Sequence, residues 1–252
     1  MERFGLDWSD DGEVSSDIVV KLGGLLSKAS LTAKRGSTYS AARLPYCTTE
    51  LGRHNDREAP SDTEGSAMFL FDATKYGPAV ANLLAEDRLS ELGPGKPNKS
   101  AFGSLQWLTA DDVVPHASSD QMVACCVSGL WLWHDYLDES HELSQDLGSP
   151  EGSYWHGIMH RREPDYSNAK YWYRRVGDHP IFDPLAESVA ELSAGFELDE
   201  PAQELAGTWD PYAFVDLCAE VARGRSNSKE FCQHVARLEW QLLFDHCYDL
   251  AK

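Results

Sequence analysis

Three stretches of the chain set histidines and carboxylates at the intervals that stack side chains along one face of a helix. His134, Asp138 and His141 fall at i, i+4 and i+7, and His156, His160 and Glu163 repeat those intervals. Near the C-terminus Glu239 and His246 stand seven residues apart, with Asp245 and Asp249 beside them. Their neighbours are apolar or aromatic (Leu130 to Trp133, Trp155, Ile158, Met159, Trp240, Leu242 to Phe244), so these polar faces are expected to point into a helical core. Imidazoles and carboxylates on facing helices are how bundles build metal sites. His141, His156, His160 and His246 are the first expected ligands, with Asp138, Glu163 and Glu239 as carboxylate candidates for Zn, Mn or Fe. His156-x-x-x-His160 alone suits chelation of one ion, although Gly157 stands where H-E-x-x-H would place its Glu. The competing reading is a set of hydrogen-bonded structural histidines.

A second signal overlaps the first. Residues 153–179 hold five cations (Arg161, Arg162, Lys170, Arg174 and Arg175), three histidines and six aromatics. The whole chain has 41 acids against 22 bases and a net charge of -19. Concentrating so few bases points to a small anion, phosphorylated or carboxylated. Arg161 and Arg162 at a helix end, the free N–H groups of the next helix, and Lys170 one turn on are expected to converge on it. Asn168 would meet a ligand hydroxyl or amide, Tyr171 and Trp172 would supply a stacking wall, and Arg174 a further charge. Catalysis would fall to His160 or His156 as general acid or base, oriented by Glu163 or Asp138. The competing reading is an internal salt-bridge network among the same cations and nearby carboxylates.

These residues need helices to carry them, and the pattern supplies helices almost everywhere. Hardly any window alternates with period two, so the fold expected is all-α: a single helical-bundle-like domain with a long irregular N-terminal loop region. An arm of residues 1–66 would contain a helix at 17–28 and an irregular, partly disordered stretch at 33–66; residues 67–252 would form the helical domain. Residues 68–71 read as a short strand or the lead into a helix. Helices are expected at 75–92, at 118–147 as one long run, from Pro150 to Arg162 with Ser149 as cap, and from 165–167 to Gly177. Residues 184–194, 210–223 and 227–251 complete the set.

The acidic balance argues against nucleic acid and anionic membrane surfaces as partners. With no apolar run of about 18 residues and no signal-like N-terminus, the chain reads as soluble and cytoplasmic. The six cysteines form no C-x-x-C pair and are expected as buried free thiols. There is no Walker loop, no G-x-G-x-x-G and no G-x-S-x-G elbow.

His134-Asp135 invites comparison with metal-dependent phosphohydrolases of the HD type, which need an earlier His and a later Asp. His116 and Asp216 or Asp245 are the residues available, but His116 is close in sequence and its context is loop-like. The string H-G-I-M-H-R-R-E-P-D-Y-S-N-A-K-Y-W-Y-R-R, with G-L-W-L-W-H-D-Y-L-D-E-S-H upstream, resembles an uncharacterised family of bacterial and fungal proteins. The resemblance covers residues 120–180 and implies no activity or cofactor. Two functional readings follow: an enzyme using His acid/base or metal-assisted chemistry on a small anion, or a non-catalytic ligand-binding, sensor or interaction module.

Overall fold

The computed structural model of the chain describes residues 75–252. The expected 17–28 helix, the 33–66 loop, the 68–71 segment and Cys47 lie outside the described residues. Those described form eleven helices and no strand, so the all-α expectation holds there. In chain order they are α1 (Pro78–Leu83), α2 (Phe102–Gln106), α3 (Ala110–Val113), α4 (Asp120–Trp133), α5 (Leu137–Ser144) and α6 (Pro150–Arg162). Then come α7 (Tyr166–Val176), α8 (Phe182–Ser193), α9 (Glu200–Gly207), α10 (Pro211–Ala222) and α11 (Lys229–Ala251).

Helix starts follow capping chemistry legible in the residues. Ser119, Ser149 and Asp165 each accept a hydrogen bond from a first-turn N–H of α4, α6 and α7, the last two from Gly152 (3.1 Å) and Asn168 (3.2 Å). Pro150 and Pro211 open α6 and α10, where the missing N–H costs nothing. Asp199 caps α9, which the sequence pattern had not suggested.

The core is built around α4, α6 and α11. α6 is buried without interruption from Glu151 to Arg162, packed between α5 on one side and α7 on another. Two glycines let it sit so deep. A Cβ on Gly129 of α4 would stand 2.8 Å from the Trp155 ring, and one on Gly157 3.2 Å from the Tyr173 ring. Trp240 of α11 donates from Nε1 to the Gly129 carbonyl (2.8 Å), fixing the third helix against the first two. A second apolar cluster joins α8, α9, α10 and the first half of α11, and Tyr166, Phe182 and Leu242 border both clusters.

Two expectations about helix extent are corrected. Residues 118–147 are not one helix: the chain turns at His134–Tyr136, with Asp135 at φ 63°. The Asp135 carboxylate holds that turn through ion pairs with Arg162 and Arg88 (3.1 Å to the latter). Helix 75–92 shrinks to α1, because the His134 imidazole takes the Leu83 carbonyl (3.0 Å) and Arg162 takes the Gly93 and Pro94 carbonyls (3.1 and 3.3 Å). Donors on His134 and Arg162 thus satisfy carbonyls that have no partner within a helix. The five described cysteines are buried free thiols, and no helix among the described residues is long and apolar enough to cross a membrane.

Candidate metal centre

One turn of α6 separates His156 from His160, so both rings leave the helix on the same side. There they meet His141, carried in by α5 after the turn at Asp135. Ring centroids lie 4.8 Å (His141–His156), 5.3 Å (His141–His160) and 4.6 Å (His156–His160) apart. One nitrogen from each ring falls within 4.8 Å of the others. Three nitrogens at about 2.0–2.1 Å from one tetrahedral zinc are roughly 3.3 Å apart, so modest ring rotations bring this set to coordinating distance.

The rings are held from behind. Ser144 Oγ stands 3.0 Å from His156 Nδ1, leaving Nε2 toward the cluster. Glu163 accepts from His160 Nδ1 at 3.1 Å, the carboxylate–imidazole pairing that fixes a tautomer and raises ligand basicity. Burial, and then the neighbouring imidazoles, push His156 down to about 3; burial also lowers His160, against the pull of Glu163. Both shifts favour the neutral imidazole, the form that metal ligation requires.

The cluster opens on the α7 side. Trp172 lies against His156 with centroids 3.9 Å apart, and the Arg175 guanidinium sits over the Trp172 ring at 5.1 Å. Asn168 presents Nδ2 to His160 Nε2 at 3.0 Å. A 180° turn of the amide about its last side-chain bond would bring its oxygen to the same point. His141, Asn168 and Trp172 are half-buried and Glu163 is exposed, so this edge of the cluster is the one nearest solvent.

The expected anion pocket is not assembled. Arg161 points into the core, where it pairs with Glu239, donates to the Tyr173 hydroxyl (3.0 Å) and lies over Phe214 (4.4 Å). Arg162 turns the other way, to Asp135 and to the Leu132 carbonyl (2.8 Å) among others. Consecutive helical residues diverge by about 100°, so two adjacent guanidiniums do not converge on one anion. Lys170 bonds Asp216 (2.6 Å), and Asp165, not a free N–H cradle, occupies the α7 N-terminus. Tyr171 is exposed with Arg174 over its ring at 5.7 Å. The internal-network reading therefore takes Arg161 and Arg162, while Arg174 and Arg175 stay exposed.

The expected ligand list divides likewise. Asp138 is exposed on α5 outside the cluster, and the turn at Asp135 takes His134 off that helix. Glu239 neutralises Arg161 and is lost to metal binding, and His246 faces a different group, Glu151 and His179. The HD-type arrangement is also absent: His134 and Asp135 are engaged as above, His116 is exposed, and Asp245 bonds Tyr76 and Lys75. Compared with known proteins, the chain matches no family model, no curated protein and no solved structure.

Proposed function

We propose that His141, His156 and His160 hold one divalent transition-metal ion and that the protein performs metal-assisted hydrolysis on a small anionic substrate. The observation that carries this reading is the convergence of three imidazoles from two helices, two of them braced by Ser144 and Glu163. A three-nitrogen set with an open position favours zinc over Mn or Fe, and an ion so held lowers the pKa of its bound water to about 7. Asn168 stands where it would orient that water or the substrate, and Glu163 is close enough to the same ring to relay a proton. Anion recognition passes from Arg161 and Arg162 to the ion itself and to Arg175 at the rim beyond Trp172.

Elemental mass spectrometry on untagged protein tests the ion. Parent protein should carry one equivalent more than a His156→Ala, His160→Ala variant, and equal metal content in the two would overturn the reading. A panel of phosphate and carboxylate esters tests the chemistry: turnover should vanish with that variant and show raised KM with Arg175→Ala. Metal without turnover on any ester would make the protein a sensor or binding module. Turnover unaffected by chelation would leave the His160–Glu163 pair as a metal-free general base.

A further inference from the structure

A second group of ligating side chains forms where three distant segments meet. Glu151 comes from the first turn of α6, His179 from the α7–α8 connection, and His246 from the last third of α11. His246 Nε2 stands 3.5 Å and His179 Nε2 3.8 Å from the same oxygen, Glu151 Oε1, and the two rings are 5.0 Å apart. These separations are too long for good hydrogen bonds. They are close to the spacing of two ligands on one ion, roughly 3.3 Å for zinc.

An independent observation points the same way. His179 is 3% exposed, yet its Nε2 has no hydrogen-bond partner while aimed at this group. Buried imidazole nitrogens are rarely left so. Its Nδ1 has only a 3.4 Å contact from the Ile181 N–H. Ligation at Nε2 moves the ring proton to Nδ1 and gives up that contact, which is near the limit of a hydrogen bond.

We propose that Glu151, His179 and His246 form a second divalent-metal site, distinct from the His141–His156–His160 cluster. The donor set is two imidazoles and one carboxylate, a combination that zinc and ferrous iron both accept. Glu151 lies five residues from His156 along α6, about 7.5 Å of rise and some 140° around the helix, so the two sites face different sides. An ion here ties the start of α6 to the α7–α8 turn and to α11, joining segments whose sequence separation no local contact bridges. Its first role is to lock those elements; His246 is only half-buried, which gives the ion a way in.

The test is a zinc titration of chelator-stripped, full-length protein against a chromophoric chelator, with circular dichroism to confirm the fold of each variant. Parent protein should bind two equivalents. His246→Ala and the near-isosteric Glu151→Gln should each bind one, and His141→Ala should also bind one but lose the other. If His246→Ala and Glu151→Gln keep the parent's stoichiometry, the second site does not exist. If the parent binds a single equivalent that His246→Ala abolishes and His141→Ala retains, the second site stands and the first falls. If the single equivalent disappears only in His141→Ala, the reverse holds.

Discussion

Removing Arg161 separates its structural role from a ligand-binding one. Glu239 is fully buried and Arg161 is 2% exposed, so Arg161→Met leaves a carboxylate in the core with no cation. Methionine nearly matches the aliphatic stem, so the packing loss is small beside the charge. What remains to Glu239 is the Tyr173 hydroxyl, donating at 3.0 Å. Breaking a buried ion pair on one side costs about 3–5 kcal/mol, against the roughly 5–15 kcal/mol that holds a domain folded. With a urea m-value of about 2 kcal/mol per molar, the unfolding midpoint should fall by about 2 M. Trp133, Trp155 and Trp240, all buried in the core, report the transition by fluorescence. The double variant Arg161→Met, Glu239→Leu removes both charges and should recover at least half of that loss, because replacing a buried pair with apolar groups is often near neutral. A double-mutant cycle reads the coupling directly. Arg161→Met within about 1 kcal/mol of the parent, or a double variant with losses that merely add, would refute the pairing. If such a stable variant also failed to bind anionic ligands, Arg161 would return to the anion site from which the geometry removes it.

Two further outcomes follow from the packing. Burial, and then the Arg88 charge, hold His134 down to about 4, and its neutral ring donates to the Leu83 carbonyl while Asn98 stands 3.2 Å from the other nitrogen. The unfolded chain protonates first, so this contribution is whole above about pH 6.5 and drains as pH falls toward 4; by pH 5 the loss amounts to about 2 kcal/mol. His134→Asn should therefore flatten the pH 7-to-5 dependence of the urea midpoint by that amount, and parallel profiles would refute the assignment. Gly129→Ala puts a methyl 2.8 Å from the Trp155 ring and should cost about 1–3 kcal/mol by overpacking. An unchanged melting temperature would mean that α4 and α6 are less closely apposed than described.

What the sequence could disclose is set by range. The i, i+4 spacing of His156 and His160 survives folding because it is a property of one helix, and Ser149-Pro150 likewise announced the start of α6. His141 joined them only because the chain turns at Asp135, in a left-handed conformation that nothing in H-D-Y predicts. That same turn takes His134 off the helix that carries Asp138 and His141. For Arg161 and Arg162, clustering in sequence does not mean convergence in space, because adjacent helical positions aim about 100° apart. Their true partners, Glu239 and Asp135, lie 78 and 27 residues away. In a chain with this surplus of carboxylate, a fully buried arginine finds a counter-charge more readily than a ligand does. The grouping of Glu151 and His179 with His246 is wholly tertiary, so no sequence spacing marks it. The one available hint was that His179 closes the same cation-rich stretch that holds the other two histidines. The two candidate metal sites thus differ in kind: the first is a helix face completed by a neighbour, while the second exists only once α6, the α7–α8 turn and α11 have met. An ion at the second site would therefore bind the assembled fold far better than the unfolded chain, so loading it should raise the melting temperature. An ion at the first can be captured in part by α6 alone, where two ligands already share one face.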